Sequence, residues 1–217
     1  DIHLNGDNKN GFIDGNISHF DFNKYRFNNI KTKILVDNNF IEGLADIDDP
    51  NINFSIEGKA NIDKEDPYLN VYANAKTINF DKINLTDKYH HLSAEIDVNI
   101  KGLDFDKATG YVNINNLHYS NNPNKELSID QISIESRNDS TQQALTISSN
   151  FLNASINGTY SYKSLVPAVK DILSHSLPVF FGEHAHDNAT TLTQSGNQNN
   201  FTFDISLEKD ENVFNFF

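Results

Sequence analysis

NINFSIEGKANI, residues 51–62, alternates apolar and polar without a slip: Ile52, Phe54, Ile56, Gly58, Ala60 and Ile62 fall on one side, Asn51, Asn53, Ser55, Glu57, Lys59 and Asn61 on the other. Successive side chains of a β-strand point to opposite faces, so this stretch predicts a strand with one face kept from water. The same period of two recurs over 16–22, 30–36, 40–47, 68–76, 92–101, 110–116, 127–135, 144–149, 153–160 and 200–207. Turn formers separate these runs, among them Asp48-Asp49-Pro50, the stretch 63–67, Asn121-Asn122-Pro123-Asn124 and Asn138-Asp139-Ser140. Connections this short favour antiparallel neighbours in a meander.

Only 37% of the 217 residues are hydrophobic and the mean hydropathy is −0.54, which is little material for a core buried from every direction. One-sided burial is the natural expectation. The length suits a single all-β unit over 1–217. A net charge of −13 and a pI near 4.8 argue against nucleic acid as a partner, because phosphate binding needs clustered Lys and Arg to displace counterions. The acidic residues, grouped at 46–49, 63–66 and 208–211, read as a solvated surface. Asn-x-Ser/Thr triplets at Asn53, Asn157 and Asn200 are expected by chance in a chain this rich in Asn.

There is no cysteine, hence no disulfide framework and no thiolate chemistry. The lack of methionine and the abrupt ends inside alternation are what a piece of a longer chain would show. No apolar run approaches the roughly 20 residues that cross a bilayer, and no signal peptide is visible; any anchor or export signal would lie outside this segment.

One element departs from the period of two. Ser164 as N-cap, Pro167 in the first turn, Leu165, Val169, Ile172 and Leu173 near helical spacing, and Pro178 as a stop predict one short helix over about 165–176. Residues 182–200 are almost wholly polar and predict a flexible surface loop and hinge before the last strand. A weak echo links Phe20-Asp21-Phe22-Asn23-Lys24-Tyr25, Ile78-Asn79-Phe80-Asp81-Lys82-Ile83 and Leu103-Asp104-Phe105-Asp106-Lys107-Ala108. It predicts a strand end that delivers a Phe to the apolar face and then turns.

Catalytic constellations are thin. His184, His186 and Asp187 form the best metal candidate, since His at i and i+2 of a strand share a face, but they fall in the polar loop without a third ligand. His90 and His91 point opposite ways on a strand and do not jointly hold an ion there. A glycosidase would need two of Glu57, Glu95 and Glu135 to converge, and each occupies an outward position of its strand. Phosphate loops, a nucleophile elbow and a zinc helix motif are absent from the sequence. The expectation is a chain without catalytic residues, metal or cofactor.

Attention therefore returns to the apolar face. Collected strand by strand it is Ile34, Val36, Ile52, Phe54, Ile56, Leu69, Val71, Ile96, Val98, Ile100, Val112, Ile114, Leu145, Ile147, Ile156, Phe203 and Ile205. It admits two readings: the core of a β-sandwich or barrel, or the lining of one long curled sheet that holds acyl chains in an open trough. Two features favour the trough. The opposite face is mostly Asn, Asp, Ser and Lys, residues suited to water, and the inner positions are aliphatic with Phe and nearly free of charge. Each methylene buried there returns about 0.8 kcal/mol, and an unpaired charge would cost more than several of them.

Several segments resemble one family. SNFLNASINGTYSYKSL (149–165), the helix after it and Ser176-Leu177-Pro178 are similar to a recurrent unit of bacterial TamB-like translocation and assembly module proteins of the AsmA superfamily. LSAEIDVNIKG (92–102), continuing through Ala108-Thr109-Gly110-Tyr111-Val112-Asn113-Ile114, looks like another such unit, as does 51–62 with Asp66-Pro67-Tyr68-Leu69 after it. The resemblance implies a mostly β fold, a long curved antiparallel sheet forming an open groove called a β-taco. It implies a non-enzymatic periplasmic segment of a Gram-negative bacterial protein that is anchored in the inner membrane. Such proteins are thought to carry phospholipid between the inner and outer membranes. Its implied partners are phospholipid acyl chains, an outer-membrane barrel protein and neighbouring repeats of the same chain. The alternative is a protein-interaction module for outer-membrane protein or adhesin assembly, working through sheet-edge pairing. The family offers no catalytic residues to carry over, so only the groove-facing positions above are nominated.

Overall fold

In the computed structural model the described residues are 2–4, 10–102, 104, 106–139, 142–162 and 200–216. They form twelve strands: β1 Ile2–Leu4, β2 Asn10–Phe22, β3 Tyr25–Asp37, β4 Phe40–Asp49, β5 Ile52–Asn61, β6 Tyr68–Asn79, β7 His91–Lys101, β8 Thr109–Asn122, β9 Lys125–Asn138, β10 Gln143–Ser149, β11 Leu152–Thr159 and β12 Asn200–Leu207. A single helix among the described residues, α1 Glu211–Phe216, follows β12. Every strand pairs antiparallel with its sequence neighbour, and together they make one open sheet in strict chain order, with β1 and β12 at its edges. The alternation of 51–62 thus becomes β5, as its period requires.

Cross-strand registers carry the apolar side from strand to strand. Ile47 faces Phe54 and Ala45 faces Ile56. Ile56 then faces Ala73, Ala73 faces Ile96, and Ile96 faces Ile114. The row through Val71, Val98, Val112, Ile134 and Ile147 runs parallel to it. Leu145 faces Ile156, and Ile156 faces Phe203 at the edge. Directly opposed side chains in an antiparallel pair share a face, so the apolar surface is continuous across the sheet.

The sheet is bent by identifiable devices. Register slips interrupt pairing at Asn53/Phe54, between Ala75 and Ile78, and between Ser93 and Glu95. Asn29 and Asn116 adopt positive φ within β3 and β8. Bulges of this kind kink the strand and increase local twist. Gly43 lies opposite Gly58, and each is tight against the strand on its other side, Gly43 against β3 and Gly58 against β6. A Cβ on Gly58 would stand 2.5 Å from the Asn70 carbonyl oxygen and 2.9 Å from the Val71 Cα.

Hairpin turns alternate between two rims. On the first, Asn23 and Lys24 both have positive φ (49° and 64°), the backbone that a two-residue turn matched to strand twist demands. Asn23 Nδ2 donates to the Asn84 carbonyl and Asn84 Nδ2 to that of Asn23, at 3.1 Å in the second case, tying the β2–β3 turn to the 80–90 loop. Ile83 in that loop is 1% exposed. His90 Nδ1 lies 2.7 Å from the Tyr119 hydroxyl, and the Phe216 ring packs 5.9 Å from Tyr119. Lys125 Nζ sits 5.5 Å over the Phe216 ring. β10 pairs with β9 only from Ile132 onward, and α1 packs on β9, its Val213 and Phe216 buried. Asp210 Oδ1 accepts from the Asn212 and Val213 amides and starts the helix.

The predicted helix over 165–176 lies outside the described residues, as does the predicted loop over 182–200 except for Asn200, which begins β12. Other expectations need correction. The alternation does not reveal α1. Strands β2, β3, β8 and β9 extend well beyond their predicted limits. Of the three-fold echo, Phe22 is 55% exposed at the end of β2, Ile83 is the buried residue of the second copy, and Phe105 of the third lies outside the described residues. Asp49 is no solvated surface acid, being 3% exposed. Its carboxylate accepts from the Tyr25 hydroxyl, from the Asn51 amide (2.9 Å), and from both the amide (3.2 Å) and side chain (2.7 Å) of Asn28. Burial alone would push its carboxyl up; the bonds from Tyr25, Asn51 and Asn28 outweigh that and hold it below the usual range.

Candidate functional site: an uncovered apolar groove

Every nominated groove residue falls on the one register-defined face. None of them is buried: Leu69 and Phe203 are exposed, and Ile34, Val36, Ile52, Phe54, Ile56, Val71, Ile96, Val98, Ile100, Val112, Ile114, Leu145, Ile147, Ile156 and Ile205 are half-buried. In a sandwich or barrel core these side chains would be sealed by a second layer. Among the described residues the strands make one sheet, so the ordinary-core reading gives way to an open face. Sequence reasoning missed Ile132 and Ile134 on β9 and Phe201 and Leu207 on β12, although their alternation carried the same signal.

The face is not uniform along its strands. Toward the first rim Ala73, Ala75, Ala94 and Ile129 are buried. Toward the second rim the face opens into a cavity of about 590 Å³. Leu69, Ile100, Val112, Ile134 and Leu145 supply its apolar wall, and Asn61, Tyr68, Thr109, Tyr111, Ser136 and Tyr162 its polar groups; among the described residues no Asp, Glu, Lys, Arg or His lines it. Gly110 in this wall has φ 135°, and a Cβ there would lie 1.9 Å from the Asn99 carbonyl oxygen, so only glycine fits.

A polar clasp holds the rim of this cavity. Asp106 Oδ1 accepts from the Tyr162 amide at 2.6 Å. The Asp106 carbonyl accepts from Gln143 Nε2 and from Asn138 Nδ2. Gln143 Oε1 in turn accepts from the Tyr160 amide at 3.0 Å. The 102–108 loop is thereby tied across β9 and β10 to the chain leaving β11. Ser136 Oγ donates to the Ala108 carbonyl at 2.9 Å and lies 3.4 Å from the Tyr162 hydroxyl. Tyr160, 5% exposed, packs edge-on against Tyr162 and Phe201, and its hydroxyl meets no partner within hydrogen-bonding geometry among the described residues. Burial, and then the neighbouring Tyr162, push its ionisation well above the ordinary tyrosine range.

The catalytic candidates are not brought together. Glu57, Glu95 and Glu135 lie on β5, β7 and β9, on the face opposite the groove and each separated from the next by a whole strand. Glu135 is instead paired with Arg137 at 2.8 Å. His90 bonds Tyr119, and His91 Nε2 lies 3.0 Å from Thr77 Oγ1. Among the described residues no group of three or more His, Asp or Glu is placed to hold a metal; His184, His186 and Asp187 lie outside them. The polar face is less uniform than its composition suggests, since Phe12, Leu35, Leu44 and Tyr72 are exposed on it. Among the described residues no helix is long and apolar enough to cross a membrane.

The fold and groove define a mostly β protein built as one curved antiparallel sheet with an apolar inner face. No protein-family profile, curated protein or solved structure matches the chain.

Proposed function

We propose that this chain is a non-enzymatic conduit segment whose groove holds phospholipid acyl chains for transport between the inner and outer membranes of a Gram-negative envelope. The observation that carries the reading is the continuous apolar face, half-exposed from β3 to β12, on which no second sheet packs among the described residues. The sequence resemblance to TamB-like proteins supports the same reading; on it the segment would work in the periplasm, with an anchor elsewhere and a barrel partner at the outer membrane. Eight methylenes lodged on the face would return about 6 kcal/mol, which is comparable to the roughly 4–15 kcal/mol cost of immobilising a ligand. Binding is then weak and repeated, as sliding requires.

The test is organic extraction of the purified protein followed by mass spectrometry, with Ile52→Asp, Phe54→Asp and Ile56→Asp as variants. Co-purifying phospholipid that the variants lose supports the conduit; wild-type protein that never carries lipid, even after incubation with phospholipid vesicles, sinks it. A second reading, partner assembly through an edge, is favoured by β12. Its residues Asn200–Leu207 contain no Lys and no Pro, and Phe203 and Leu207 are exposed. Thr202→Pro would abolish concentration-dependent association if the edge is used.

A further inference from the structure

We propose that the cavity at the second rim is a stationary site for one acyl chain whose head hydrogen-bonds and bears no net negative charge. The groove would then hold lipid at one place rather than evenly along its length. This rests on the acyl-chain reading of the groove and adds to it a location, an orientation and a preference.

Location follows from the shape of the face. About 590 Å³ is bounded here by Val112, Ile134 and Leu145 and by Tyr162 at the rim. A volume of this size matches pockets of about 300–1,000 Å³ that bury most of a small ligand. The clasp from Asp106 to the Tyr162 amide, and from Gln143 to the Tyr160 amide, keeps the rim in place. Orientation follows from the polar atoms. The Ser136 and Tyr162 hydroxyls stand 3.4 Å apart, too long for a strong O–H···O bond, which leaves the Tyr162 hydroxyl able to bond a head group.

The preference follows from charge. The chain flanking the mouth carries Asp63, Glu65, Asp66, Asp104 and Asp106 against Lys64, Lys101 and Lys107, and Lys107 is already engaged by Asp104 at 3.7 Å. A phosphate with no compensating amine meets a repulsive rim, within the roughly 8 Å over which charges act at physiological salt.

The experiment uses 1-palmitoyl lysophosphatidylcholine and 1-palmitoyl lysophosphatidylglycerol, each with a diazirine in the chain, on the full 217-residue protein. Photolabel is expected on peptides bearing Val112, Ile134 and Leu145 at several times the level on those bearing Ile34 and Ile56. The choline lipid should bind about three- to tenfold tighter than the glycerol lipid at low salt, the gap closing as salt rises. Tyr162→Phe should weaken it about three- to tenfold, the range for one hydrogen bond. Asp106→Ala, which frees the Tyr162 backbone without touching the lining, should speed release. Label spread evenly from Ile34 to Leu145 overturns the stationary site while leaving the conduit standing. Absence of label anywhere on the groove overturns both. Equal binding of the two lipids, or unchanged binding by Tyr162→Phe, removes the head-group assignment.

Discussion

Replacing Asp49 by Ala tests whether the first rim is held by a buried carboxylate. The side chain is 3% exposed and accepts four hydrogen bonds, from Tyr25, Asn51 and twice from Asn28, joining β3, β4 and the start of β5. Asn51 extends the network, its Nδ2 donating to the Tyr25 hydroxyl at 3.2 Å and its carbonyl accepting from the Asn79 amide at 2.9 Å. A hydrogen bond to a charged group contributes about 1.5–3 kcal/mol, and donors left unpaired in a buried site cost about 1–3 kcal/mol each. These terms overlap, so Asp49→Ala should lose about 3–5 kcal/mol, a large part of the roughly 5–15 kcal/mol that holds a domain folded. Because the folded state depresses this carboxyl below its unfolded value of about 3.9, its contribution is complete above that value. It is lost as pH falls through the lower, folded pKa. Urea unfolding followed by circular dichroism at pH 7 and at several acid pH values should show a gap between wild type and Asp49→Ala that narrows on acidification. A wild-type midpoint for Asp49→Ala at pH 7, or a gap that widens in acid, would refute the reasoning.

Gly58→Ala should cost about 2–3 kcal/mol in chemical unfolding, because the Asn70 and Val71 backbone it would strike cannot yield cheaply. Gly15→Ala, with nothing within 4 Å of the new Cβ, should gain about 0.4–1 kcal/mol and raise the Tm by a few degrees. Lys24→Gly should stabilise by about 1 kcal/mol, since Lys24 holds φ 64° at no steric cost to glycine; calorimetry reads the shift. Phe216→Ala should destabilise by about 2 kcal/mol and speed amide exchange at 125–131 of β9, the stretch that β10 leaves unpaired.

Much of the fold was legible because its signal is local. The strands of 40–47, 92–101 and 200–207 announce themselves by period two, and short turns dictate antiparallel neighbours. Less legible were the outer parts of long strands such as β3 and β8. There Asn29 and Asn116 switch the alternation out of step, and a strict period of two stops at the kink although pairing continues. Asp49 looked like one acid among many, since only contact with Tyr25 and Asn28, more than twenty residues earlier, sets it apart. Tyr162 and Asp106, fifty-six positions apart, meet for the same kind of reason.

By itself the sequence determined the strands, their antiparallel order and which side of each avoids water, because a strand's side-chain period is set by its own backbone. Whether that side would be covered was decided only by the tertiary structure. Bends at the register slips, the close passage at Gly43 and Gly58 and the clasp at Asp106 accumulate over twelve strands. Closure is a property of the whole sheet's curvature, to which residues far apart in the chain contribute together, and no single stretch such as 51–62 encodes it.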